Sequence, residues 1–280
     1  MPAAVPEPPP LTTDDFRLPL DDFELQVRRF GLPGPASGPT LVLLHDSLGS
    51  VALWRDLGAQ LALATGRPVL AYDRRGYGQS SSFGPAPRTS RYLEEEAETV
   101  NRVLAACGLA QAVLFGHSDG GTLALLAAAL EPARIAACVT IGAHVFVEDV
   151  TLAGIREAQR QYQTTNLPQK LARYHGANTD AVFRAWTETW LAPSFRTWNI
   201  ERYLPAVACP VLVLQGSNDE YGTAAQVEAI ARQTTGPATA RLLPGRGHSP
   251  HREDPGLVVQ LTADFLNSNW SVLGQEPGLG

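Results

Sequence analysis

The sequence predicts an α/β protein built on a mostly parallel, eight-stranded sheet with helices on both faces. Short runs rich in Val, Leu and Ile alternate with helical stretches along the 280 residues. Right-handed β-α-β crossovers produce that alternation. Several runs are apolar without a break, as strands covered on both faces must be. One gap between runs is too long for a single crossover helix, so it reads as an insertion.

The elements follow in order. "FRLPL" and "FELQVRRF" flank Asp21-Asp22 and read as a hairpin. "TLVLLH" (40–45), "RPVLAYD" (67–73), "QAVLFGH" (111–117), "ACVTIGA" (137–143), "CPVLVLQG" (209–216) and "ATARLLPG" (238–245) supply six more strands. Helical patterns fall at 91–106, 119–130, 224–233 and 255–267. The long gap holds Trp186, Trp190 and Trp198, and helices fit at 149–163, 167–175, 179–191 and 199–206. The expected organisation is therefore a core of 16–143 plus 207–270, with a helical cap of 144–206 inserted after the sixth strand. Residues 1–15, which begin "MPAAVPEPPP", read as a flexible proline-rich tail, and the final "GQEPGLG" as a second loose end.

Composition narrows the function. Apolar residues make up 44% and charged residues 18%, enough for a large core. The net charge of −6 gives no basic face for nucleic acid and no cationic run for a membrane surface. Lys170 is the one lysine. Cys107, Cys138 and Cys209 form no CxxC pair and read as buried thiols of a reducing compartment. The first residues lack the cationic start and apolar stretch of a signal peptide, and no run is long enough to span a bilayer. A soluble, cytoplasmic protein is expected. The histidines His45, His117, His144, His175, His248 and His251 show no ligand spacing such as HExxH, so neither metal nor other cofactor is expected. Oligomeric state has no signature in the sequence.

The informative stretch is "GHSDGG", 116–121, between a strand and a helix. A serine on a sharp strand-to-helix turn is pushed out at the top of the sheet, and small neighbours let the backbone turn without clashing. The helix N-terminus behind it favours developing negative charge. Ser118 is thus a candidate nucleophile, unless the turn is only a tight glycine turn. A serine hydroxyl needs a base and a group that orients the base. In strand-turn-helix serine enzymes the chain order is serine, acid, histidine. Asp219 follows the strand 209–216, and His248 follows the strand 238–245. Asp219 could instead cap a turn before the next helix. Glu220 is the second acid candidate and His251 the second histidine.

Four stretches resemble one family. "LLHDSLGSVALW" resembles the oxyanion loop of the α/β-hydrolase superfamily, and "AYDRRGYGQSS" its D-x-R-G-x-G-x-S turn. "GHSDGG" is similar to its nucleophile elbow and "RGHSPHREDP" to its histidine loop. The likeness runs from about residue 20 to 267, in the cap-bearing branch of esterases and meta-cleavage-product hydrolases. It implies Ser118 as nucleophile, His248 as base and then acid, and Asp219 as the orienting carboxylate. It implies an oxyanion hole from the backbone N–H groups of Ser47 and Asp119. Asp46 stands where that family usually has glycine. His45, Asp73 and His117 then read as structural.

Epoxide hydrolases and dehalogenases of this family carry aspartate at the apex, where this chain has Ser118. The resemblance therefore implies acyl-bond hydrolysis through an acyl-enzyme on a small-molecule, ester-like substrate. C–C, thioester, lactone or amide cleavage could run on the same residues. A receptor that turns over slowly is the reading from a different class. The Asp119 side chain has two readings: it faces substrate and repels anions, or it pairs with an arginine such as Arg74. His144, Trp186 and Trp190 are candidate substrate contacts. Trp186 and Trp190 share one helix face, which could equally pack the cap onto the core.

Overall fold

The computed structural model describes residues 11–84 and 88–273. Eight strands form one sheet: β1 (Thr12–Leu20), β2 (Phe23–Gly31), β3 (Thr40–Leu44), β4 (Val69–Tyr72), β5 (Ala112–His117), β6 (Ile135–Ile141), β7 (Val211–Gly216) and β8 (Ala238–Leu243). Their order is β1-β2-β4-β3-β5-β6-β7-β8. The β1–β2 and β2–β4 pairs are antiparallel, and every pair from β4–β3 to β7–β8 is parallel.

The helices are α1 (Leu57–Thr65), α2 (Tyr92–Ala106), α3 (Asp119–Leu130), α4 (Asp149–Thr164), α5 (Leu167–His175), α6 (Thr179–Trp190), α7 (Ala224–Gln233), α8 (Pro250–Glu253) and α9 (Pro255–Leu273). Alternation along each strand feeds two cores. Val42 and Leu44 of β3 pack with Val100 of α2, Leu123 of α3 and Val227 of α7. Leu41 and Leu43 point the other way and join Leu61 of α1 and Leu266 of α9. Period two thus explains why strands buried on both faces read as unbroken apolar runs.

The expected tail is too long at its inner end. Thr12 to Asp15 belong to β1, in register with Arg28 to Gly31 of β2. Asp15 pairs with Arg28 at 2.7 Å and Asp14 with Arg29 at 2.8 Å. This is an edge strand with exposed side chains, so polarity hides it from an apolar pattern. Residues 1–10 and the "GQEPGLG" segment lie outside the described residues. A second difference falls at 199–206. Only Glu201–Ala206 is helical, as a short 3-10 turn, and its Pro205 has no N–H to continue an α-helix.

Helices α4 to α6 sit between β6 and β7. The segment is clasped where it leaves and rejoins the core: Phe146 bridges Asn199, and the Ile200 N–H donates to the Val145 carbonyl at 2.8 Å. No helix among the described residues is long and apolar enough to cross a membrane.

Candidate active site

The site lies at the carboxyl ends of the central strands, where open parallel sheets bind ligands. Ser118 follows β5 directly. Its backbone is held at φ +55° and ψ −121°, a region that residues with a Cβ rarely adopt. The glycines around it are forced by close approach. A Cβ on Gly116 would lie 2.0 Å from the Gly120 carbonyl oxygen, and one on Gly120 would lie 1.9 Å from that of Leu44. The Ser118 N–H donates to the Ile141 carbonyl at 2.8 Å, which fixes the turn to β6.

Asp219 stands just past β7 and His248 just past β8. His248 Nδ1 is 2.9 Å from Asp219 Oδ1 and 3.0 Å from Oδ2. Asp219 Oδ1 also accepts from the Tyr221 N–H at 2.8 Å and the Gly222 N–H at 3.3 Å. The carboxylate is buried, and burial pushes its pKa up. The hydrogen bond and charge of His248, with the Tyr221 amide and the charge of His144, outweigh burial, and the net shift is downward. Burial likewise pulls His248 down, yet Asp219, helped by Glu220 and Asp46, leaves it above the ordinary 6.5. The carboxylate–imidazole pair therefore orients the ring and stabilises its charged form.

The second candidates take other positions. Glu220 Oε2 accepts the His248 backbone N–H at 3.1 Å. His251 packs against Trp54 and His117 and is buried, which drives its pKa well below the ordinary value. His45 Nε2 accepts the Arg74 N–H at 3.0 Å, and Asp73 accepts from the Val51 and Gln79 amides. His117 Nε2 donates to the His248 carbonyl at 2.9 Å. Glu220, His45, Asp73 and His117 each fasten a loop, and His251 is a packing residue.

Ser118, His248, Ser47 and Asp119 open on one cavity of about 480 Å³, a size that suits a small organic ligand. Among the described residues, the N–H groups of Ser47 and Asp119 have no protein acceptor. Asp46 is not at positive φ, so it does not use the freedom of the family's usual glycine. Its Oδ2 lies 3.3 Å from His117 Nδ1 and 3.3 Å from Arg252. The Arg252 contact ties the loop after β3 to the histidine loop, while His117 spends its ring proton on the His248 carbonyl.

The two readings of Asp119 separate here. Its buried carboxylate lies 3.6 Å from Arg74 and accepts from Tyr92 Oη at 3.1 Å. Tyr92 in turn accepts from Trp190 Nε1 at 2.8 Å. His144, Trp186 and Trp190 all line the cavity. His144 Nε2 donates to the Tyr221 carbonyl at 3.0 Å, and burial lowers the His144 pKa. Tyr92, Tyr221 and Arg252 were not singled out by the sequence. Tyr221 had the one available signal, its place two residues after Asp219.

A family model described as alpha/beta hydrolase fold matches residues 39–203, more than half of the chain. The chain belongs to the alpha/beta hydrolase fold family. It is 30% identical over 240 residues to the human serine hydrolase BPHL, covering 81% of this chain and 78% of that one. It is 26% identical over 268 residues to 2-succinyl-6-hydroxy-2,4-cyclohexadiene-1-carboxylate synthase of Enterobacter sp. (strain 638), covering 85% and 94%. MGS-M2, an alpha/beta hydrolase from a deep-sea metagenome library, superposes with a TM-score of 0.71 at 18% identity, over 90% of this chain and 97% of that one. That likeness speaks for the fold alone. This alpha/beta hydrolase is therefore similar to one protein named as a serine hydrolase and to another named as a synthase.

Proposed function

We propose that this chain is a serine hydrolase that cleaves a carboxylic ester through an acyl-enzyme. One observation carries the reading: Ser118, on its strained turn, and the hydrogen-bonded His248–Asp219 pair open on the same cavity. Ser118 Oγ attacks the ester carbonyl while His248 Nε2 takes its proton. The negative oxygen is held by the N–H groups of Ser47 and Asp119, aided by the start of α3. The tetrahedral adduct collapses, and the alcohol leaves with the proton from His248. Water, deprotonated by the same imidazole, then releases the acid and restores Ser118. Asp219 stays ionised throughout and holds the tautomer with the proton on Nδ1.

A fluorophosphonate probe is expected to label Ser118 alone. A p-nitrophenyl ester is expected to turn over many times per protein. A single product per protein would overturn the assignment in favour of a receptor, and labelling elsewhere would overturn Ser118 as the nucleophile.

In this reading α4 to α6 form a cap over Ser118, with Trp186 and Trp190 as part of the acyl or alcohol wall. Trp186 is 8% exposed and Trp190 2%, so both also belong to the packed core. Each Trp→Ala change is expected to cost about 3–5 kcal/mol of stability. It should also reorder the rates of a series of acyl esters of graded length, measured well below the melting temperature. An unchanged order, with every rate lowered together, would leave these side chains as packing alone.

A further inference from the structure

We propose that the mouth of this cavity carries a subsite for an acidic group of the substrate, formed by Lys170 and Arg173 of α5. The proposal rests on the serine-hydrolase reading for the reaction but not for the binding.

Helix α5 presents Leu167, Lys170, Leu171 and Tyr174 to the cavity, the i, i+3, i+4, i+7 stripe of one helix face, with Arg173 beside it. Leu171 is buried and gives an apolar wall, while Lys170 and Arg173 reach the exposed rim. Three residues apart on a helix, the two cations are neighbours and repel. Among the described residues neither forms an ion pair. Arg173 lies in the last turn of α5, where the helix dipole favours a cation. Lys170 is nearer the other end and has no such reason to be there. It is also the only lysine of a chain with net charge −6.

The acidic groups of the cavity do not cancel this pair. Asp46 faces Arg252 and His117, and Asp119 faces Arg74 and Tyr92. Glu220 holds the His248 backbone N–H. Among the lining carboxylates only Glu220 lacks a cationic partner, and the ionised Asp219 lies behind the His248 ring, away from α5. The α5 side of the mouth carries two unpaired cations, and the Asp119 carboxylate that would repel an anion is paired with Arg74. A carboxylate or phosphate on the substrate, set away from the scissile bond, would sit between Lys170 and Arg173. The apolar wall of α5 would cover the chain that joins it to the ester.

The test pairs acidic and neutral mates. On the acyl side, monoethyl and diethyl esters of the dicarboxylic acids from succinate to suberate are compared. On the alcohol side, butyrate esters of 4-hydroxybenzoate and 4-hydroxybenzamide are compared. At low salt, kcat/KM for the acidic mate is expected to exceed that of the neutral mate about tenfold in one series, and to shrink as salt screens it. Lys170→Glu with Arg173→Glu should reverse the preference. A neutral preference in both series, or a ratio that the double change leaves alone, overturns the subsite. Calorimetry on Ser118→Ala with the same acidic esters separates the two readings. If no ester turns over at all, the ester reading falls. Tighter binding of the acidic mates that vanishes in the triple variant would still uphold the subsite, and equal binding of both mates would reject it.

Discussion

Ser118→Ala is expected to lose about 10⁴-fold or more in kcat while remaining folded. In the proposed reaction the hydroxyl is the attacking group, so nothing else in the cavity replaces it. The turn itself survives, because the Ser118 N–H bond to the Ile141 carbonyl and the close approach of Gly116 to Gly120 involve only backbone. Alanine keeps a Cβ, so the strain at φ +55° persists. Ser118→Gly should lose as much activity but relieve that strain, worth about 1–3 kcal/mol. For a chain of this size it should melt a few degrees above Ser118→Ala. Esterase assays with thermal melts of the two variants check this. Retained turnover in Ser118→Ala would sink the assignment. Equal melting temperatures would mean that the elbow stores no strain.

The fold was legible because its signal is periodic. β3, β5 and β7 are covered on both faces, so Leu41 to Leu44, Ala112 to Phe115 and Val211 to Leu214 are apolar without a break. The start of β1 was not legible, since Thr12 to Asp15 face water and are held by arginines of the next strand. Among the candidate site residues, Ser118 follows β5 directly, and Asp219 and His248 lie in the loops after β7 and β8, so position along the chain places them at one edge. What escaped was most of the contacts between distant segments. Pairing of Asp119 with Arg74 was one of two open readings, but nothing in "SDGG" says that Tyr92 donates to the same carboxylate, or that Tyr92 accepts from the indole of Trp190. Asp46 is the clearer case. The resemblance marks it as a departure from glycine, and the structure shows a backbone away from positive φ and a carboxylate that reaches Arg252. Pairings of this kind depend on how loops close over one another, which no local pattern encodes.

Asp219→Asn is expected to lower kcat on the order of 10⁴-fold and to move the acid limb of the pH profile downward. The first effect is one of tautomer. The Tyr221 and Gly222 amides donate to Oδ1, so the asparagine oxygen stays there and its NH₂ takes the place of Oδ2, facing His248 Nδ1. The ring must then carry its proton on Nε2, where it cannot accept one from Ser118. The second effect is one of charge. In the native site His248 titrates above 6.5, because Asp219 outweighs burial. Only neutral imidazole accepts the serine proton, so kcat/KM should rise with pH through that raised value. In Asp219→Asn the burial that disfavours the cation remains, while the hydrogen bond and charge of Asp219 are gone. Glu220 and Asp46 still raise the value but are the smaller contributors. The limb should therefore fall to lower pH, with the residual rate reaching its plateau in more acidic solution than the native rate. Profiles of kcat/KM for one ester, measured on both proteins, decide the matter. A limb that stays in place would show that Asp219 does not set the titration of His248. A limb that moves up would reverse the sign of the argument and point to a histidine whose cation the carboxylate does not stabilise.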